Sequence, residues 1–172
     1  MTVTMMPAGA DIFATTCEAI VIPTNCRGVN GAGLAKAAKQ RWPTWDRAYR
    51  IWCRENVMDP GDVHVSVTGR GDAKREPMDI ILAVATKDLW TMPSRVEWVK
   101  RGLGEIENRV ALHGIASIAI PALGAGLGGL PWDDVRPLIM ATEERLSARG
   151  VRVEVYPPHE ERKRSHRPPL SG

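Results

Sequence analysis

The chain is 172 residues long, 44% hydrophobic and 25% charged, the composition of one ordinary globular domain with enough length for a sizeable core. Its net charge of +3 permits a polyanionic partner without requiring one, and no apolar run is long enough to cross a membrane. The opening MTVTMMPAGAD lacks the pattern of a secretory leader, and Cys17, Cys26 and Cys53 show no CxxC or Cys/His spacing, which fits reduced thiols in a cytoplasmic protein rather than disulfides or a metal centre.

Taken in chain order, residues 2–6 predict a first strand and the apolar run 19–24 a second. The glycine-rich stretch NCRGVNGAGLAK (25–36) follows and leads into a helix over 33–41, which stops before Pro43. A second helix over 43–55 carries Trp45, Tyr49 and Trp52 at helical spacing. Strands are expected at 63–68 and 79–86, where IILAVAT is apolar on both faces, as a central strand covered by helices is. A third helix opens on the capping-box pattern Ser94-Arg-Val-Glu97, places Val96, Val99, Leu103, Ile106 and Val110 on one face, and stops near Gly114. The fifth strand, 117–122, runs into PALGAGLGGLPWDDV (121–135). A last helix over 131–149 buries Val135, Leu138, Ile139 and Leu146, with Gly150 as its stop, and a sixth strand covers 151–156. Residues 157–172, Pro-rich and basic without apolar periodicity, read as a mobile solvated tail, with attraction to nucleic acid as the alternative. Strands interleaved with helices therefore predict a single α/β domain over 1–156 with a largely parallel sheet.

Both glycine-rich stretches follow a strand and precede a helix, the place where open α/β sheets bind ligands. Backbone N–H groups there favour phosphate, and two such loops on one rim suggest a diphosphate held from both sides. Gly124, Gly126 and Gly129 satisfy GxGxxG literally, but the match lies late in the chain and no acidic strand end follows it. Neither loop contains GxxxxGK[ST], which argues against an NTP-hydrolysing P-loop. Two tight strand-to-helix turns would explain one or two glycines, not GAGLGG.

Asp11-Ile12, Ala19-Ile-Val-Ile-Pro-Thr-Asn25, Gly28 to Gly33 and Pro121 to Val135, in that order and spacing, resemble the ordered motifs of macrodomains. The resemblance spans roughly residues 3 to 156 and implies a three-layer α/β/α sandwich with a central, largely parallel mixed sheet of about six strands, binding ADP-ribose. NCRGVNGAGLAKAAKQRWP and ATKDLWTMPSRVEWVKRGLGEI are similar to the subgroup that holds the terminal ADP-ribose protein glycohydrolase and the DarG-type DNA ADP-ribosyl glycohydrolases. That subgroup has a strand-end Thr-Lys whose lysine is catalytic, matched here by Thr86-Lys87. Two departures bear on substrate: Ile22-Pro-Thr-Asn25 keeps only the second asparagine of the common strand end, and Gly128 stands where the protein-deconjugating enzyme has an aspartate, as in the DNA-acting branch.

The resemblance implies Lys87 and Asn25 as catalytic residues. It implies an ADP-ribose site formed by Asp11, Ile12, Asn25, Gly31, Ala32, Gly33, Leu34 and Thr86, with Leu123, Gly124, Ala125, Gly126, Leu127, Gly128 and Gly129 wrapping the other side. Asp11, a carboxylate at a strand start, would accept from the adenine amino group, and Asn25 would meet the distal ribose; a turn aspartate and a turn-closing asparagine are the alternatives. Apolar surroundings would depress the pKa of Lys87 if its side chain is buried, freeing a neutral amine to attack the anomeric carbon or to accept a proton. Trp90 could stack on a base or adenosine, or serve in the core or rim. The function so implied is removal of ADP-ribose from modified, single-stranded DNA, and from protein acidic side chains as a second substrate. The alternatives are a non-catalytic ADP-ribose reader and a hydrolase of ADP-ribose 1″-phosphate or O-acetyl-ADP-ribose. No metal or other cofactor is expected, the chain is expected to be a monomer away from membranes, and a cognate ADP-ribosyltransferase toxin is the partner the resemblance suggests.

Overall fold

A computed structural model of the chain describes residues 4–67 and 80–159. Six strands form one sheet: β1 (Thr4–Met5), β2 (Ala19–Asn25), β3 (Val63–Val67), β4 (Ile80–Lys87), β5 (Ser117–Pro121) and β6 (Arg152–Tyr156). Their spatial order is β1-β6-β5-β2-β4-β3, parallel throughout except for β3, which runs antiparallel to β4 at one edge. The helices are α1 (Gly33–Arg41), α2 (Pro43–Glu55), α3 (Val96–His113) and α4 (Trp132–Ala148). The sandwich and the mixed sheet expected from the sequence are therefore present. The outer residues of the expected strands, at 2–3, 68 and 79, lie outside the described residues, as does the tail from 160.

The period-two alternation of the central strands builds two cores. On β2, Ala19 and Val21 join Leu82 and Val84 of β4 beneath α3 and α4, where Val99, Leu103, Ile106, Val110, Val135, Ile139 and Leu146 close the layer. Ile20 and Ile22 point the other way with Ile81 and Ala83, and are covered by Ala35 and Ala38 of α1 and by Trp45 and Tyr49 of α2. A Cβ on Gly102 would lie 2.5 Å from Val84 Cγ2; the missing side chain lets α3 approach the sheet. Gly114 caps α3 at φ 60°, and Gly150, at φ 81°, ends α4 with its own N–H on the Ser147 carbonyl and that of Val151 on Leu146.

One local expectation fails for a tertiary reason. Ser94 does not cap α3: the cap position is Arg95, without a side-chain bond, while the buried Ser94 gives its N–H to the Gly128 carbonyl at 3.0 Å. Trp52 keeps helical spacing with Trp45 and Tyr49 but is 42% exposed, because α2 turns it outward over His64 of β3.

Candidate functional site

The carboxyl ends of β6, β5, β2 and β4 lie side by side, so Tyr156, Pro121, Asn25 and Lys87 stand along one rim in that order. At about 4.8 Å per strand the row is about 14 Å long. Above it opens a cavity of about 720 Å³, walled by both glycine loops. A smaller cavity of about 330 Å³ lies at the far ends of α3 and α4, with Arg149 its one charged wall residue.

Lys87 reaches the rim through a register shift. β2 and β4 pair Thr24 with Ala85 and then Asn25 with Lys87, so Thr86 is an extra residue on β4. This bulge sets Lys87 level with Asn25, the re-aiming that bulges beside functional sites produce. Thr86 is buried and its hydroxyl donates to the Thr24 carbonyl at 3.4 Å. Lys87 is half-buried rather than enclosed, and its Nζ donates to the carbonyls of Leu127 at 3.1 Å and Trp90 at 3.4 Å.

Asn25 serves the first loop directly. Its Oδ1 accepts from the N–H groups of Arg27 at 3.0 Å and Val29 at 3.2 Å, and its Nδ2 donates to the Val29 carbonyl at 2.7 Å. The side chain closes the turn while one face still lines the cavity. α2 fixes the loop from outside. Buried Asp46 accepts from Asn30 Nδ2 at 2.9 Å and also pairs with Arg50, and the Tyr49 hydroxyl donates to the Asn25 carbonyl at 2.9 Å. Burial raises the Tyr49 hydroxyl well above its ordinary pKa, so it stays a donor. The adjoining Cys26 thiol is pushed up to about 12, by burial first and then by the Asp88 charge, and is no nucleophile at neutral pH.

With the turn held, the N–H groups of Gly31, Ala32, Gly33 and Leu34 meet no protein acceptor among the described residues. They form the N-terminus of α1, whose cap, Ala32, has no side chain to satisfy them. In the second loop the N–H groups of Gly124, Gly126, Leu127 and Gly128 are likewise unpaired, whereas those of Leu123, Ala125 and Gly129 bond to Pro121, Ala122 and Gly126. Eight amides without protein acceptors, on two loops that wall one cavity, together with one helix N-terminus, are donors of the kind an anion takes. The second loop lacks the helix end expected for it, because α4 begins beyond it with Asp133 and Asp134 in its own first turn. The loops touch across the cleft: a Cβ at Gly33, whose φ is 57°, would lie 3.0 Å from Leu127 Cδ1.

Of the sequence-predicted residues, Ile12, Asn25, Gly31, Ala32, Gly33, Leu34, Thr86, Lys87, Gly124, Gly126, Leu127 and Gly128 line the cavity. Ala125 and Gly129 sit in the loop without facing it, and Leu123 is wholly buried in the core under α3 and α4. Asp11 stands at no strand start: it caps a short 3-10 turn, Ile12–Ala14, by accepting from the Phe13 N–H at 2.9 Å. Its neighbours Ala10 and Ile12 wall the cavity there, together with Tyr156, Pro157 and His159, which the sequence had assigned to a strand end and a tail. Asn30, Asp46 and Ser94 were also missed. Among the described residues no group of three or more His, Cys, Asp or Glu could hold a metal ion.

A family model described as "Macro domain" matches residues 21–139. A DNA ADP-ribosyl glycohydrolase of Thermus aquaticus is 37% identical over 150 residues, 87% of this chain and 40% of that protein. The chain thus spans about 40% of the length of the DNA ADP-ribosyl glycohydrolases it matches. The solved macrodomain of Mycobacterium tuberculosis DarG superposes with a TM-score of 0.82 at 32% identity, covering 91% of this chain and 98% of that one. A structure of Thermosipho africanus DarTG in complex with ADP-ribose gives 0.78 at 29% identity, over 88% of this chain and 41% of that one.

Proposed function

Because this chain belongs to the macrodomain family, we propose that it binds ADP-ribose and hydrolyses the glycosidic bond joining that nucleotide to DNA. The observation that carries the reading is the Lys87 amine at the end of a cavity roofed by two loops with eight unpaired amides. The diphosphate lies against those amides. The adenine end rests among Ala10, Ile12, Tyr156 and Pro157, where Asp11 still has one carboxylate oxygen for the adenine amino group. The distal ribose then meets Asn25 and Lys87. Protein acidic side chains are a second substrate class. The Mycobacterium and Thermus relatives carry the glycohydrolase activity in their names, and the Thermosipho structure holds ADP-ribose.

Lys87 can act in two ways on the anomeric carbon. As a nucleophile it forms a carbon–nitrogen bond while the bond to the base breaks, the base leaves with a proton, and water later displaces the amine. As a base it takes a proton from water, whose oxygen bonds to that carbon as the bond to the nucleobase breaks, and the nucleobase leaves with that proton. In either case it must first leave the Leu127 and Trp90 carbonyls. A cognate ADP-ribosyltransferase is the partner such an activity requires, since some enzyme must attach the group that this one removes. Three free thiols are consistent with work in the cytoplasm.

The test is release of ADP-ribose from a single-stranded oligonucleotide modified on a base. Lys87→Ala is expected to slow release about 100- to 10,000-fold, the worth of a positioned acid–base group, while holding free ADP-ribose within a few-fold of wild type. Equal release by both proteins removes the mechanism; no affinity for ADP-ribose in either removes the reading.

A further inference from the structure

The Lys87 amine is bracketed by the carbonyls of Trp90 and Leu127, and the side chains of those two residues are 51% and 67% exposed at the mouth of the cavity. Both line it. A group attached to a sugar carbon beside Lys87 would have these two residues as its neighbours. The slot is apolar, with Met92 (45% exposed) and Val29 (37% exposed) on the segments beside it.

Trp90 differs from the other five tryptophans of the chain. Trp42 meets Phe13 and the Arg41 guanidinium, Trp45 stacks on Tyr49 and Trp52 packs on His64. Trp98 lies under Arg95 and Trp132 packs on the core. Among the described residues, no ring, cation or hydrogen-bond partner meets the Trp90 side chain. A large aromatic face held open to solvent beside a reactive amine needs a flat partner to gain its burial. Exposed cations stand on the elements framing the slot: Lys36 in the first turn of α1, Arg95 at the cap of α3 and, in the first loop, Arg27, which lies 3.7 Å from Asp88. An aromatic platform flanked by cations is the arrangement that holds single-stranded nucleic acid, base on ring and phosphates outside.

We infer that the slot between Trp90 and Leu127 receives the nucleobase that carries ADP-ribose, stacked on the Trp90 ring while Lys87 faces the sugar. This deepens the proposed function and rests on it. The base is thereby read by its face and not by its edge, so the slot selects a nucleobase over a flexible carboxylate chain.

The experiment compares wild type, Trp90→Ala and Trp90→Phe, each in the Lys87→Ala background so that substrate persists. Their affinities are measured for free ADP-ribose, for a single-stranded oligonucleotide ADP-ribosylated on a base, and for a peptide ADP-ribosylated on a glutamate. Trp90→Ala is expected to bind the oligonucleotide about 5- to 150-fold more weakly, the worth of one base–aromatic stack. Trp90→Phe recovers most of that loss, and free ADP-ribose and the peptide stay within twofold. Unchanged oligonucleotide affinity overturns the inference, as does an equal loss on the peptide or on free ADP-ribose. If the parent chain with Lys87 intact releases nothing from the oligonucleotide, the hydrolase reading fails, yet the binding comparison still decides what Trp90 holds.

Discussion

Two glycines of the second loop, two residues apart, separate fold from function. A Cβ at Gly128 would lie 2.4 Å from the Gly124 carbonyl oxygen, 2.5 Å from Ser94 Oγ and 2.8 Å from Gly124 Cα, and backbone cannot yield cheaply. A Cβ at Gly126 would meet nothing within 4 Å, and its φ is outside the left-handed region. Overpacking of this kind costs about 1–3 kcal/mol, and in a domain of this size each kcal/mol moves Tm by about 2–4 °C. Gly128→Ala should therefore melt about 2–12 °C lower. Gly126→Ala relieves backbone entropy and should melt at or slightly above wild type, by up to about 1 kcal/mol of added stability. Gly126 lines the cavity, so under the proposed function a methyl group there competes with the diphosphate. The same 1–3 kcal/mol then appears as about 5- to 150-fold weaker ADP-ribose binding. Scanning calorimetry and isothermal titration on both variants check this. Undiminished affinity in Gly126→Ala would show that the amides of this loop do not face the ligand.

Asn25→Ala removes three hydrogen bonds and strands buried polar groups. A loss of about 1–3 kcal/mol in stability is expected, with weaker ADP-ribose binding as the first loop opens; a melt and a titration check both. His64 gives a pH dependence: burial, and to a lesser extent the Arg109 charge, lower its pKa from 6.5, while it lies against Trp52 and Tyr49. The unfolded chain binds that proton more readily, so the stability due to neutral His64 is complete above about pH 6.5 and is lost as pH falls below it. Urea unfolding at pH 7 and pH 5 should show a smaller acid loss in His64→Gln; an unchanged difference refutes the assignment.

The fold was legible because its signals are local. Unbroken apolar runs in Ala19–Asn25 and Ile80–Lys87 mark strands buried on both faces, and the glycines at 114 and 150 mark helix ends. The two glycine loops pointed to the cavity they wall for the same reason, since their backbone freedom has a cost that only a ligand or a tight turn offsets. What escaped depends on relations between distant segments. The Thr86 bulge is a mismatch between two strands and has no signature in either. Ser94 carries a sound capping pattern, but the Gly128 carbonyl takes its N–H and burial takes its side chain. Asp46 reads as a first-turn residue of α2, whereas its task is to hold Asn30, which requires α2 to lie behind the first loop.

Those long-range relations converge on Lys87. Chain order would separate its strand from both loops, but the crossovers place β2 between β4 and β5, so the loop after β2 and the loop after β5 both overhang the end of β4. The Cys26 N–H bonds to the Lys87 carbonyl at 3.0 Å, the Ser94 N–H holds Gly128, and Lys87 Nζ closes the circuit on Leu127. Lys87 is thus positioned by both glycine loops: its carbonyl holds the first through Cys26, and its amine holds the second through Leu127.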